Sequence, residues 1–247
     1  MKTFNVMLKT ELKLSLRDMN MVIFAIIIPL VVTVILGFIN GETPAYDGSE
    51  YTVFAQSFGA LSSIAILSGG IMGLPLLIAD YRAKKILKRF KVTPITPVMI
   101  LMVNLAVYFL YAIVSFILVY LVSALFFDFQ MIGSWFYFMV SYLLTMLSMF
   151  SIGLLVGGVA RDMKTASTIA SLLFFPMFIF SGTTVPYDIM PEVLQRFADV
   201  LPLTQAINLL RASSLGLPIE NASFSIVILL AITVVCMGSA IRFFKWE

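Results

Sequence analysis

The sequence predicts an all-α integral membrane protein. It has six transmembrane helices, an N-terminal interfacial amphipathic helix, a basic cytoplasmic helix between the second and third spans, and short outer re-entrant helices between the fifth and sixth. Three observations carry this prediction. The 247 residues are 61% hydrophobic and 12% charged, with a mean hydropathy of +1.04, against soluble norms of about 45–50% apolar and about 25% charged. The apolar residues fall into six runs, each near or above the ~20 residues that a hydrocarbon core requires. The charges between these runs are sorted by sign along the chain, as the positive-inside rule demands of a multi-pass protein.

Residues 1–19 place Lys2, Lys9, Lys13 and Arg17 within a ~80° sector of a helical wheel, opposite Phe4, Met7, Leu8, Leu12, Leu14 and Leu16. Such a helix lies flat on the cytoplasmic membrane face. Glu11 and Ser15 fall inside its apolar arc and mark where it touches protein. Residues 21–39 are the first span, too long for the apolar core of a signal peptide and followed by no small-x-small cleavage site. Pro29 in its middle predicts a kink. Residues 40–50 hold Glu42, Asp47 and Glu50 and no Lys or Arg, which makes a short acidic outer loop. Residues 52–79 are the second span, with Gly69, Gly70 and Gly73 at a spacing that permits close helix approach.

Residues 80–97 form a basic island holding Arg82, Lys84, Lys85, Lys88, Arg89 and Lys91, six of the sixteen Lys and Arg residues. On a helical wheel started at Asp80, Ala83, Ile86, Leu87 and Phe90 share one narrow arc and the cations take the rest. This predicts a two-turn amphipathic helix, ended by Thr93-Pro94 because a residue before proline is pushed out of the α region. One reading is a solvated loop that sets topology. The other is a docking helix whose apolar arc is buried in a partner's groove.

Residues 98–127 and 131–159 are the third and fourth spans, joined by a tight turn at Asp128, and Gly153 and Gly157 repeat the small-residue spacing. Arg161-Asp162-Met163-Lys164 returns the chain to the basic side. Residues 166–185 are the fifth span and contain Pro176. In 186–220, prolines alternate with charges around two short helices, Glu192–Val200 and 203–215, which are too short and too charged to span and belong at or within the outer leaflet. Residues 223–243 are the sixth span. This order puts fourteen of sixteen basic residues on one side, with only Arg196 and Arg211 opposite, and eight of thirteen acids on the other. Both termini are therefore expected in the cytoplasm and the span count is even. Residues 1–247 make one domain.

Several functions are excluded by composition. Histidine is absent and Cys236 is the single cysteine, so there is no His-based metal site, no His-dependent triad and no intrachain disulfide. The net charge of +3 is interleaved with spans and serves orientation, not nucleic acid. No carboxylate sits at membrane depth, which argues against an intramembrane enzyme and against transport driven by a proton or sodium gradient.

The interfacial helix, the six spans, the basic loop ending in Thr-Pro and the proline-broken outer segment together resemble the permease of an ABC-2 type exporter. Two stretches carry the resemblance. Leu87-Lys88-Arg89-Phe90-Lys91-Val92-Thr93-Pro94 is similar to the family's cytoplasmic coupling segment, with Lys85-Ile86 where many members have Gly-Thr and with the preceding acidic element reduced to Asp80. Pro176, Phe178, Ser181-Gly182, Pro186, Pro191, Leu201-Pro202-Leu203-Thr204 and Arg211 resemble the fifth span and outer re-entrant region.

The resemblance implies a permease with no ATPase motif of its own, in the plasma membrane, paired with a second permease copy or a sister subunit. Two copies of an ABC ATPase subunit would carry ATP and Mg, and no cofactor would sit in this chain. Asp80, Arg82, Ala83, Ile86, Leu87, Lys88, Arg89, Phe90, Thr93 and Pro94 would then couple to the ATPase, with the helix of Lys2, Lys9, Glu11, Lys13 and Arg17 as a second contact. Ser181, Gly182, Thr183 and Thr184 stand as an outer gate, against the reading in which these hydroxyls only bridge helices. Arg211 meets an anionic head group or pairs with Asp199, Asp188 or Glu192. The apolar lining suits an amphipathic or lipid-like cargo such as a drug, a peptide or a lipid. A passive channel or non-transporting scaffold is the alternative class.

Overall fold

The computed structural model describes residues 2–46, 48–49, 51–86, 96–183, 190–218 and 222–243. Every regular element among them is a helix. In chain order these are α1 (Lys2–Ser15), α2 (Met19–Asn40), α3 (Val53–Ala83), α4 (Pro97–Phe126), α5 (Trp135–Val159), α6 (Met163–Phe180), α7 (Glu192–Val200), α8 (Pro202–Leu215) and α9 (Ala222–Phe243). Six of them, α2 to α6 and α9, are long and apolar enough to cross a membrane.

Burial sorts these six into a core and a shell. Of the apolar window of α3, 78% is buried, and of α5, 67%, whereas α2 and α6 bury 22% and α9 buries 17%. The first two therefore form the axis, and the others turn most of their surface outward. Phe58, Phe116, Phe129, Phe138 and Tyr142 fill the space between α3, α4 and α5 with stacked and tilted rings. Tyr142 Oη donates to the Ala112 carbonyl at 2.9 Å and lies 3.3 Å from that of Ser62. A phenol buried at this depth needs such partners.

The close helix approach expected from the glycines occurs between α3 and α5. A Cβ at Gly153 would overlap the carbonyl oxygen of Gly70, so the two backbones touch at this level. Apolar side chains gain nothing over lipid by association, and close packing of this kind is what holds helices together in a bilayer. At Pro29 and Pro75 the helices adapt by π-helical turns just upstream, Ile23–Ile27 and Ser68–Gly73. The proline lacks the N–H and its ring crowds the carbonyl four residues earlier, and widening the turn by one residue relieves both. Accordingly Leu74 N donates to Gly69 O, five residues back.

Several expected boundaries move. The second span does not end at residue 79: its helix runs on through Ala83. At 1.5 Å per residue its 31 residues reach about 46 Å, more than the ~30 Å of a hydrocarbon core. The third and fourth spans are not joined by a tight turn, because the connection runs from Phe127 to Ser134 and α5 begins at Trp135 instead of 131. Asp128 does sit in the left-handed region, at φ 47°, which Asp tolerates better than most residues. The fifth span starts earlier, at Met163, and its helix stops at Phe180. On α1 the half-buried stripe is Phe4, Met7, Leu8, Glu11, Leu12 and Ser15, while Leu14 and Leu16, expected on the apolar arc, are exposed.

We expect Gly153→Val to lower the unfolding temperature of the purified protein by the equivalent of about 1–3 kcal/mol of overpacking. Gly238→Ala, where a Cβ meets open space, leaves it unchanged or raises it slightly. Thermal unfolding in a maltoside detergent measures both, and equal melting of the two variants would deny the α3–α5 contact.

Candidate functional site

The start of the basic island, Asp80 to Ile86, and helix α1 meet at one end of the bundle. Lys84 Nζ pairs with Asp80 at 2.8 Å across one helical turn, largely in solvent, where such a pair contributes little. Tyr81 Oη donates to Glu11 at 2.8 Å, and Ser15 Oγ donates to Tyr111 Oη at 3.3 Å. The two polar exceptions in the apolar stripe of α1 thus hold it against α3 and α4, with Leu8 and Leu12 packed beside Val107, Tyr111 and Ala25. Lys9, Lys13 and Arg17 are exposed, and the Lys2 side chain lies outside the described residues.

Lys84 and Lys85 are exposed, but Arg82 does not point into solvent with them. Its guanidinium donates to the carbonyl oxygens of Ala160 and, at 3.3 Å, Gly158. The last carbonyls of a helix have no intrahelical donor and carry the negative end of its dipole, so Arg82 caps the C-terminus of α5. Just beyond, Asp162 accepts from Thr165 N at 2.8 Å and caps the start of α6, and this bond holds its carboxyl below the ordinary range.

The single amphipathic helix expected from Asp80 onward is interrupted. Lys84 ends α3, Lys85 N donates to Arg82 O in a tighter turn, and Lys85 takes φ 56°. Ala83 therefore belongs to the end of the second span, and Ile86 lies past the break. Leu87, Lys88, Arg89, Phe90, Thr93 and Pro94 lie outside the described residues.

At the opposite, acidic end, α8 is not a surface element. Leu203, Ala206, Leu209, Leu210 and Leu215 are buried. Leu210 packs on Gly59 of α3, Ser213 Oγ lies 3.0 Å from Ser141 Oγ of α5, and Ser225 Oγ of α9 donates to Gln205 Oε1 at 2.8 Å. Gly133 N donates to Ser214 O at 2.8 Å and ties in the loop between α4 and α5. Beside α8, Phe178 stacks on Phe174 at 5.6 Å and α6 runs on past Pro176 to Phe180. Gly182 then turns the chain at φ 86°, a conformation that favours glycine. Ser181 and Thr183 on either side are buried, and neither hydroxyl has a hydrogen-bond partner among the described residues. Thr184, Pro186 and Asp188 lie outside those residues. Arg211 is half-buried on α8 and pairs with neither Asp199 nor Glu192; Glu192 reaches Arg196 instead, at 3.9 Å.

By sequence, residues 2–215 match the ABC-2 type transporter family. The chain belongs to that family. It is 34% identical over 86 residues to Nodulation protein J of Rhizobium leguminosarum bv. viciae, 35% of this chain and 33% of that one. It is 32% identical over 78 residues to Nodulation protein J of Neorhizobium galegae, 32% of this chain and 30% of that one. It is 28% identical over 103 residues to the Inner membrane transport permease YhhJ of Escherichia coli (strain K12), 42% of this chain and 26% of that one. The matched stretches thus span a third or less of each relative's length.

This member of the ABC-2 type transporter family is therefore, by its six apolar helices, a multi-pass membrane protein. Two of the residues that organise its ends escape a reading by composition. Tyr81 sits unremarked between Asp80 and Arg82, and the one clue to it is the misplaced Glu11 that it bonds. Gln205, an amide in an otherwise apolar helix, is the corresponding clue to α8, since a buried amide needs partners. We expect Arg82→Ala to lower the unfolding temperature by the equivalent of about 1–3 kcal/mol, the cost of two lost charge-assisted bonds. Lys84→Ala should stay within about 0.5 kcal/mol. Thermal unfolding of the two purified variants checks this, and equal melting would mean that Arg82 caps nothing.

Proposed function

We propose that this ABC-2 chain is the permease subunit of an ATP-driven exporter that moves an amphipathic or lipid-like substrate out of the cytoplasm or inner leaflet. A separate nucleotide-binding subunit, in two copies with ATP and Mg, supplies the work. The observation that carries the reading is the way α3 leaves the bundle. Its last turns emerge at the basic end, where Arg82 fastens them to α5 and Tyr81 fastens them to α1. A push delivered at the segment after Lys85 is therefore shared by three helices.

In this mechanism the basic end faces the cytoplasm with both termini, and residues 86–94 seat on the ATPase. Closure of the ATPase pair displaces α3, and the Gly70–Gly153 contact carries α5 along. α7 and α8 form a re-entrant pair that seals the outer half of the bundle through Gln205 and Ser213. Ser181, Gly182 and Thr183 gate the outer exit, and the Ser181 and Thr183 hydroxyls, which have no partner among the described residues, would hydrogen-bond a passing head group. A second permease copy completes the route, packing on the exposed faces of the shell helices.

Reconstitution with the cognate ATPase tests this. Leu87→Asp plus Phe90→Asp, in a variant that still elutes as the wild type does on size exclusion, should abolish co-purification of the ATPase and amphiphile-stimulated hydrolysis. Transport that proceeds with no ATPase bound, or an unchanged pulldown, points to a passive channel or a scaffold.

A further inference from the structure

At the acidic end, α2, α3 and the loop after α4 enclose a cavity of about 840 Å³. That is the size of a pocket for a small organic ligand. Phe38, Tyr51, Phe54 and Phe127 supply aromatic walls, and Glu42 and Asp128 place carboxylates at its rim. The wall is fixed. Phe127 lies where a Cβ on Gly37 would be, 5.1 Å from the Phe54 ring and edge-on to Phe38 at 5.5 Å. Phe38 itself is 81% exposed, a ring held at the mouth and not packed away in the core.

The charges are equally one-sided. The charged residues lining the cavity are Glu42 and Asp128, and the sequence from 40 to 52 and from 127 to 134 contains no Lys or Arg. Glu42 and Asp128 are exposed, and neither has a hydrogen bond or an ion pair among the described residues. An anion is repelled here, while a cation gains both the carboxylates and the ring faces. A bare metal ion would leave the rings unused, and among the described residues no cluster of three acidic, His or Cys ligands exists to hold one. An organic ammonium with a hydrocarbon chain uses every part of the lining.

We propose that this cavity binds an alkylammonium amphiphile, its head between Glu42 and Asp128 and its chain along Phe38, Phe54 and Phe127. The site does not depend on ATP or on a partner, so its test is independent of the exporter reading. The full-length protein in phosphatidylglycerol nanodiscs is labelled with a trimethylammonium probe whose alkyl chain carries a diazirine, and the cross-links are mapped by mass spectrometry. Labelling should concentrate in residues 37–55 and 126–132, and dodecyltrimethylammonium should displace it while dodecyl sulfate does not. Glu42→Gln with Asp128→Asn should weaken competition about fivefold or more, and Phe38→Ala about threefold. Both changes are at exposed positions, and size exclusion verifies the fold. Suppression of labelling in phosphatidylethanolamine nanodiscs would identify a resident lipid head group as the occupant, and persistence would identify a free cationic amphiphile. Labelling spread evenly over the lipid-facing helices, equal labelling of the double variant, or equal competition by dodecyl sulfate would overturn the proposal.

Discussion

The backbone contact between Gly70 and Gly153 is the constraint on which the bundle depends. In lipid the apolar side chains of α3 and α5 gain little by leaving one hydrocarbon environment for another. What holds these helices is dispersion across a close approach, which falls off steeply with any gap. Because main chain meets main chain here, no side chain can change rotamer to take up a displacement. The contact also coincides with the π-helical turn of Ser68–Gly73, with the Tyr108 ring against Gly69 and Gly73. The axis of the molecule is thus joined where its hydrogen-bond ladder is least regular.

The two ends of that axis are secured by different chemistry. At the basic end a cation caps helix carbonyls and a phenol meets a carboxylate, bonds of the charged kind that contribute about 1.5–3 kcal/mol each. At the acidic end α8 is held by neutral partners, Gln205 with Ser225 and Ser213 with Ser141, each worth about 0.5–1.5 kcal/mol. Around Thr204, Ser181 and Thr183 the hydroxyls have no partner at all among the described residues, which subtracts from stability there. The acidic end is therefore the weaker one, and it is where helices are short and the chain turns at Gly182.

Much of this architecture was legible because membrane constraints act on local sequence. The six spans, the spacing of Gly69, Gly70, Gly73, Gly153 and Gly157, and the two short helices before the last span all follow from composition within a window of a few turns. Glu11 and Ser15 were informative as violations of an apolar arc. Arg82 was not legible, since it is one of six cations in a run and its acceptors lie 76 and 78 residues along the chain. Nor was the break after Ala83, because Lys85 adopts a positive φ with no glycine to announce it. For Arg211 the acids nearby in sequence suggested an ion pair; among the described ones Glu192 lies on another helix and reaches Arg196, while Asp188 lies outside the described residues. The cavity at the acidic end joins residues from three separated stretches, and no single stretch contains its pattern.

The position of that break has a mechanical consequence. A continuous helix passes an axial displacement along its length because each turn is bonded to the next. From the Gly70 contact, α3 passes through the rest of the π-helical turn and then runs as regular α-helix from Leu74, past Pro75, through Arg82. Lys84 and Lys85 then interrupt the ladder, two residues past Tyr81–Arg82 and before the rest of the basic island. Under the proposed mechanism, a force arriving from beyond Lys85 would cross this break before it reaches α3. The bonds of Tyr81 to α1 and Arg82 to α5 lie immediately inside this break, so a displacement of the end of α3 would be shared with both neighbours.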